Sequence, residues 1–505
     1  MDVLGYLLQG FAVAISPMNL MWCFVGCFLG TVIGILPGLG PAATIAMLLP
    51  LTFRMDPTSA LIMLGGIYYG SKYGGSTTSI LLNVPGESAS VVTCIDGYAM
   101  AKKGRGGPAL GIAAIASFIA GTLGVIGLML VAPPLAKFAL SFSSPEYFAL
   151  MSLGLAMVVL LAGESMTKAL LAMLVGLWIA GMGTDLFTST SRFTFGNAEM
   201  LDGIDFVVVA IGVFALGEVL GNMEIREGAK MLPVPKGIRN LMPTWQDLKD
   251  CRFAFLNGSV VGFIIGVLPG AGSTIASFIS YGIEKAVSKH PEKFGTGVPE
   301  GVAAPEGANN AETGGALVPM LTLGIPGSGT TAILLAALIL WGLKPGPLMI
   351  QDNPTLFWGL VASMYIGNVM LLVLNLPLVP LFAQILRLPV YVLYPVIFGI
   401  SMVGVYGVSS SLFDVWMLGV FGLIGYAMRK LDYPSAPLIL GFVLGDSMER
   451  ALRQSLMMSQ GDLSILVSRP ISATMLFLTV LILIVPLFGR QTPGASRRSV
   501  RNGDR

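Results

Sequence analysis

The chain reads as a succession of long, continuous apolar stretches separated by few polar ones, without the strict alternation of a half-buried strand. A spanning helix needs about 20 mainly apolar residues. Candidates are 18–36, 107–131, 146–163, 168–183, 204–221, 253–269, 331–343, 356–382, 390–408, 412–428, 434–446 and 471–489. Several are short or interrupted by Gly and Pro, which predicts about ten to twelve transmembrane helices, some of them broken or re-entrant. Residues 1–16 supply a further span or an interfacial helix. Continuity selects helices over a barrel, so the expected class is an all-α polytopic membrane protein.

The hydrophilic stretches are 102–107, 222–252, 285–297, 446–470 and the tail 490–505, of which 222–252 is the longest and most charged. The tail carries Arg490, Arg497, Arg498, Arg501 and Arg505. Basic excess in short loops marks the cytoplasmic side, which places 222–252 and the tail in the cytoplasm. The beginning of the chain, free of Lys and Arg before Arg54, then faces outward. It also lacks the basic segment of a secretory signal, so the first helices are expected to remain as spans.

Two parts of the pattern repeat. GTVIGILPGLGPAATIA (30–46) parallels GFIIGVLPGAGSTIA (262–276), and GGSTTSILLNVPG (74–86) parallels GGALVPMLTLGIPG (314–327). More loosely, IGVFALGEVLGN (211–222) resembles LILGFVLGDSME (438–449). The expected organisation is an N-terminal half over 1–222 (core repeat about 18–222), a cytoplasmic linker over 223–252 and a C-terminal half over 253–449. A connecting loop and last transmembrane helix follow over 450–489, then the basic cytoplasmic tail 490–505. A first half that starts outside and ends inside, followed by a second that starts inside, makes the repeats inverted. Inverted repeats place substrate and ion sites near the midplane on interrupted helices.

Composition narrows the class. Only 11% of residues are charged and 54% are hydrophobic, with a mean hydropathy of +0.81. A soluble domain carries roughly 25% charged residues, so lipid must be the main solvent. A net charge of +2 and the absence of a basic domain give no footing for nucleic acid. Cys23 and Cys27 share a helix face without a second ligand pair, which fits small core residues better than a metal or redox pair. The lone histidine, His290, lies in the charged run SKHPEK and reads as a solvated loop residue.

The candidate chemistry sits at the repeated breaks. Pro37, Gly38 and Gly40 in the first copy, and Pro269, Gly270 and Gly272 in the second, free backbone groups that lipid cannot satisfy. The helix that starts after each break offers N–H groups to an anion, whereas a packing kink is the plainer reading of any single copy. Near the second pair of breaks lie Ser76, Thr77, Thr78, Asn83, Pro85 and Gly86, and opposite them Asn309, Asn310, Thr313, Pro326, Gly327 and Ser328. Hydroxyls, carboxamides and unwound carbonyls are hard oxygen ligands for a sodium ion, and hydroxyls with free N–H groups suit a carboxylate. The nearby charges are Lys72, Glu87, Asp96, Glu300, Glu306 and Glu312, with Lys72 and Glu87 able to form an ordinary ion pair. GIPGSGTT (324–331) lacks the Lys of a phosphate-binding loop, which argues against ATP hydrolysis. A channel would need a continuous polar lining and an intramembrane enzyme a nucleophile–base pair or metal ligands; polar residues here cluster at two breaks instead.

GGSTTSILLNVPGE (74–87), PEGVAAPEGANNAETGGALVPMLTLGIPGS (299–328) and both LPG segments closely resemble the large membrane subunit of the tripartite tricarboxylate transporters, over nearly the whole chain. The resemblance implies a non-enzymatic secondary transporter of the bacterial cytoplasmic (inner) membrane, without a cofactor other than a coupling ion. It implies two partners, a small membrane subunit and a periplasmic solute-binding protein. It also implies di- and tricarboxylate substrates and a sodium or proton gradient as the driving force for alternating access. A channel or a carrier for another small organic solute is the alternative.

Overall fold

The computed structural model describes residues 3–36, 39–161, 165–185, 187–223, 232, 237–385 and 390–488. In the first half the helices are α1 (Val3–Ala14), α2 (Pro17–Ile35), α3 (Pro41–Leu48), α4 (Pro57–Leu82), α5 (Gly106–Ala139), α6 (Ser144–Leu161), α7 (Met166–Ala180) and α8 (Phe206–Asn222). The second half contributes α9 (Arg252–Val267), α10 (Gly272–Val287), α11 (Glu300–Leu323), α12 (Gly329–Leu340) and α13 (Pro354–Asn375). After these come α14 (Val379–Ile385), α15 (Val390–Ser409), α16 (Leu412–Lys430), α17 (Ser435–Met458) and α18 (Pro470–Phe488). The only paired strands among the described residues are Gly183–Thr184 and Ser191–Arg192. Among the described residues, five helices are long and apolar enough to cross a membrane: α2, α5 with the turn before it, α6, α13 and α16.

Among the described residues, three of the longer helices lie where the hydropathy pattern gives no span. α4 and α10 are rich in Gly, Ser and Thr, and α11 in Gly and acidic residues, so their apolar content is low. For α4 and α11 the reason is burial: almost every residue of both faces other protein rather than lipid. A helix enclosed by other helices has no need of an apolar surface all round. Elsewhere the boundaries shift. The stretch 356–382 divides at Asn375 into α13 and α14, and α17 continues to Met458, through the first part of the hydrophilic stretch 446–470 and across the expected boundary at 449.

The interior rests on glycine-mediated contact. On α2, Gly26, Gly30 and Gly34 press against the carbonyl oxygens of Met63, Ile67 and Ser71 on α4, where any Cβ would overlap the neighbouring backbone. On α9, Gly258, Gly262 and Gly266 meet the carbonyl oxygens of Ala304, Ala308 and Glu312 on α11 in the same register. The return contacts match as well: Gly74 sits on Thr31 O and Gly315 on Phe263 O. In each pair residue numbers rise together, so α2 runs parallel to α4 and α9 parallel to α11. The chain between them must therefore turn back, through α3 in one case and α10 in the other. Close approach through small residues is what holds helices together where no hydrophobic effect operates between them.

The other elements clothe this interior. Cys23 and Cys27 are buried, their thiols directed at Ser363 O and Gly367 O of α13. α7 packs on α17 through Gly176 and Gly441. His290 is exposed beside Glu292, as a solvated loop residue. Part of the polar linker straps across the protein: the Leu232 N–H donates to Leu81 O, and Arg105 holds Asp247 through two 2.7 Å bonds.

Gly266→Ala places a Cβ 2.5 Å from Glu312 O, and such overpacking is expected to cost about 1–3 kcal/mol. Gly282→Ala meets nothing within 4 Å on helix α10 and is expected to gain about 0.5–1 kcal/mol. Thermal unfolding of the two variants in detergent should shift in opposite directions.

Candidate functional site

Each copy of the second motif is a long helix ended by a left-handed residue and a proline. α4 starts at Asp56, whose carboxylate accepts from Thr58 N and Ser59 N, with Pro57 at the first helical position. It ends at Asn83, with φ 59°, before Pro85. α11 ends at Gly324, with φ 71°, before Pro326. Neither helix can continue through its proline, and both chains turn sharply. Past the first break, Glu87 and Ser90 cap each other around a short turn at Ser88–Ser90. Past the second, Ser328 and Thr331 do the same at the start of α12.

α4 and α11 cross antiparallel and share a buried polar network. Tyr68 Oη donates to Glu312 Oε2 at 3.1 Å, and farther along α4 Ser76 Oγ donates to Glu306 Oε2 at 2.6 Å. Between them Lys72 Nζ lies 3.4 Å from Glu87 Oε2 and 3.9 Å from Glu312 Oε2. The same ammonium donates to Ser273 Oγ at 2.6 Å, at the start of α10 and just past the second LPG break. Asn309 Nδ2 donates to Glu87 Oε1 at 2.7 Å, and Thr93 Oγ1 to Glu306 Oε1 at 2.5 Å. Exposure decides the character of this network: Lys72 is 2% exposed, Glu87 6%, and Glu306 and Glu312 0%. Charges this deep are not screened by water, so each depends on its partners.

The breaks converge on the network. Gly270 N–H donates to Gly327 O at 2.8 Å, tying the LPG break directly to the IPG break. Thr274 Oγ1 lies 3.0 Å from Ser88 Oγ, joining the start of α10 to the turn after Pro85–Gly86. Gly86 rests on Gly34 O and beneath it Thr78, which is bonded to Gly75 O; Gly327 rests on Gly266 O. Several buried oxygens have no hydrogen-bond partner among the described residues: Asn309 Oδ1, Asn310 Oδ1, Glu312 Oε1, Thr313 Oγ1 and Tyr73 Oη. Asn310 spends its amide on Ser117 Oγ at 2.7 Å and Glu306 O. Ser117 in turn lines a water-sized cavity with Tyr73, Ser76, Thr77, Leu110, Ala113, Ala114 and Asn375.

The expected site residues therefore divide. Ser76, Asn309, Gly270, Gly327 and Gly86 belong to the network or its joints, Asn310, Thr313 and Thr77 border it, and Pro85, Pro269, Pro326, Gly272 and Ser328 shape the breaks. Gly40 stands apart, its N–H directed at Glu218 on α8 at 3.5 Å. Asn83 is exposed and serves as the left-handed end of α4. Pro37 and Gly38 lie outside the described residues. The motif reading left out Tyr68 and Ser273, and it named Lys72, Glu87, Glu306 and Glu312 only as nearby charges; these four form the centre of the network, with Lys72 and Glu87 in the expected ion pair. Their signal was present: ionisable side chains inside otherwise uncharged, membrane-length stretches.

A polytopic helical chain with broken helices around a buried ionic crossing is a multi-pass membrane protein. The model of the tripartite tricarboxylate transporter TctA family matches residues 20–440, and the chain belongs to that family, which is a transporter family and not an enzyme family. The chain is 47% identical over 490 residues to an "Uncharacterized 52.8 kDa protein in TAR-I ttuC' 3'region" of Agrobacterium vitis, covering 96% of this chain and 97% of the relative. It is also 45% identical over 226 residues to an "Uncharacterized protein in TAR-II ttuC' 3'region" of the same organism, covering 45% of this chain and 93% of the relative. No solved structure matches the chain.

Asn83 tolerates the left-handed conformation that an alanine resists, so Asn83→Ala is expected to lower stability by about 1 kcal/mol. Asn83→Gly should not lower it. Unfolding midpoints of the two variants check the assignment; equal losses in both would return Asn83 to a side-chain role.

Proposed function

We propose that the chain is the large membrane subunit of a binding-protein-dependent secondary transporter that imports di- or tricarboxylates across the bacterial cytoplasmic membrane. It works by alternating access, driven by a sodium or proton gradient. Family membership supports the substrate class, together with a small membrane subunit and a periplasmic solute-binding protein as partners. The observation that carries the mechanism is the crossing itself. α4 and α11 are equivalent helices of the two copies, each parallel to its own glycine-striped neighbour, and they run antiparallel to one another. Copies so arranged are inverted in the membrane, and the polar crossing falls at their interface, where such transporters hold substrate and ion.

The roles follow from the chemistry. Lys72, the start of α10 at Gly272–Ser273 and the Asn309 amide are the groups suited to a carboxylate. The unpartnered oxygens of Asn309, Asn310, Glu312 and Thr313 suit a small cation. The cavity lined by Ser76, Thr77 and Ser117 is only water-sized, so the halves must part to admit a carboxylate. On this topology the beginning of the chain is periplasmic, and the 223–252 linker and the basic tail are cytoplasmic.

Proteoliposomes carrying the chain, its small membrane subunit and the binding protein should take up labelled citrate or succinate only under an inward sodium or proton gradient. Flux of either compound that ignores both gradients would indicate a channel. Asn310→Ala is expected to reduce uptake at unchanged membrane abundance, because it removes the bond to Ser117 that positions α11 against α5; normal uptake would take Asn310 out of the site.

A further inference from the structure

Three carboxylates and one ammonium share the α4–α11 crossing, which leaves it a formal surplus of two negative charges. Lys72 reaches Glu87 and Glu312 but forms no ion pair with Glu306, whose two oxygens are held by the hydroxyls of Ser76 and Thr93. An anionic substrate cannot enter a dry site that is already negative unless positive charge enters with it. Independently of the charge count, Glu312 Oε1 and the neighbouring Asn309 Oδ1 and Thr313 Oγ1 are fully buried and have no partner among the described residues. Buried acceptor oxygens grouped in this way suit a small cation as their partner.

We propose that this crossing sets the coupling of transport: two monovalent cations neutralise the surplus, one beside Glu312 and its unpartnered neighbours and one at Glu306, and only then does Lys72 exchange Glu87 for a substrate carboxylate. This rests on the carboxylate-transport reading and assigns its residues. The Ser76 hydroxyl accommodates either state of Glu306. It donates to the carboxylate now, and it has Lys72 O at 3.4 Å as an alternative acceptor when Glu306 is neutralised. The other ionisable groups facing Glu306 are Glu87 and Lys72, with Tyr73 of α4 and Cys94 of the segment past the first break. Glu312 is faced by Tyr68, Lys72 and Glu87.

Citrate binding to the purified full-length chain, measured against sodium (choline replacing it) and separately against pH, tests this. The log–log slopes of apparent affinity against sodium and proton activity are expected to sum to about two, and Glu306→Gln and Glu312→Gln should each remove about one from the sum. The separate slopes tell sodium from protons. A sum near zero, or glutamine variants that keep the wild-type sum, overturns the proposal. Glu306→Asp and Glu312→Asp retain the charge and are expected to retain the sum; losses equal to those of the glutamine variants would mean a purely structural role and also overturn it. If citrate does not bind, the carboxylate reading fails on that arm, and labelled-sodium binding with proton uptake on the substrate-free chain still decides. Cation binding that is lost in the glutamine variants upholds the cluster's role, and its absence in the wild type ends it.

Discussion

Direct backbone contact between helices is the constraint from which the rest of this molecule follows. In a bilayer the apolar surface of one helix gains little by meeting another, so association must come from dispersion contact and from polar groups that lipid cannot serve. Gly26, Gly30 and Gly34 on one side, and Gly258, Gly262 and Gly266 on the other, bring α2 onto α4 and α9 onto α11 at a separation no larger residue permits. That tight pairing encloses α4 and α11 almost completely. Enclosure then allows two helices full of serine, threonine, asparagine and glutamate to exist at all.

The ionic crossing depends on that enclosure and strains against it. Lys72 and its glutamates gain strength from the low dielectric around them, but an unpaired member would be costly in the same surroundings. The two glycine-packed pairs meet at the charges they bring together. Hydrogen bonds there join the first half to the second: Asn309 to Glu87, Ser76 to Glu306, Thr274 to Ser88. Any movement of one half against the other must remake them.

Much of this was legible in the sequence. The paired LPG and PG breaks mark the ends of α2, α4, α9 and α11, because proline and left-handed residues leave a local signature. The candidate polar residues around them largely fall at one place for the same reason. Hydropathy missed α4, α10 and α11 because it measures affinity for lipid, and for α4 and α11 the surroundings are other helices. Beyond Lys72 with Glu87, the motifs gave the charges without their pairing: a lone Glu306 in a string does not reveal which groups the fold will set opposite it. Asn83 was legible only in part, since its residue type suits both a ligand and a left-handed cap, and only the backbone angle reveals the cap.

The bond from Gly270 N–H to Gly327 O joins the two breaks of the second half through main chain alone, with a glycine at each end. A joint of this kind has no side chain to exchange. Substitution around it can change the side chains at the crossing, residue by residue, while the main-chain joint that brings the breaks together stays as it is. The chemistry of the crossing can therefore drift in such a protein without the joint being invented again.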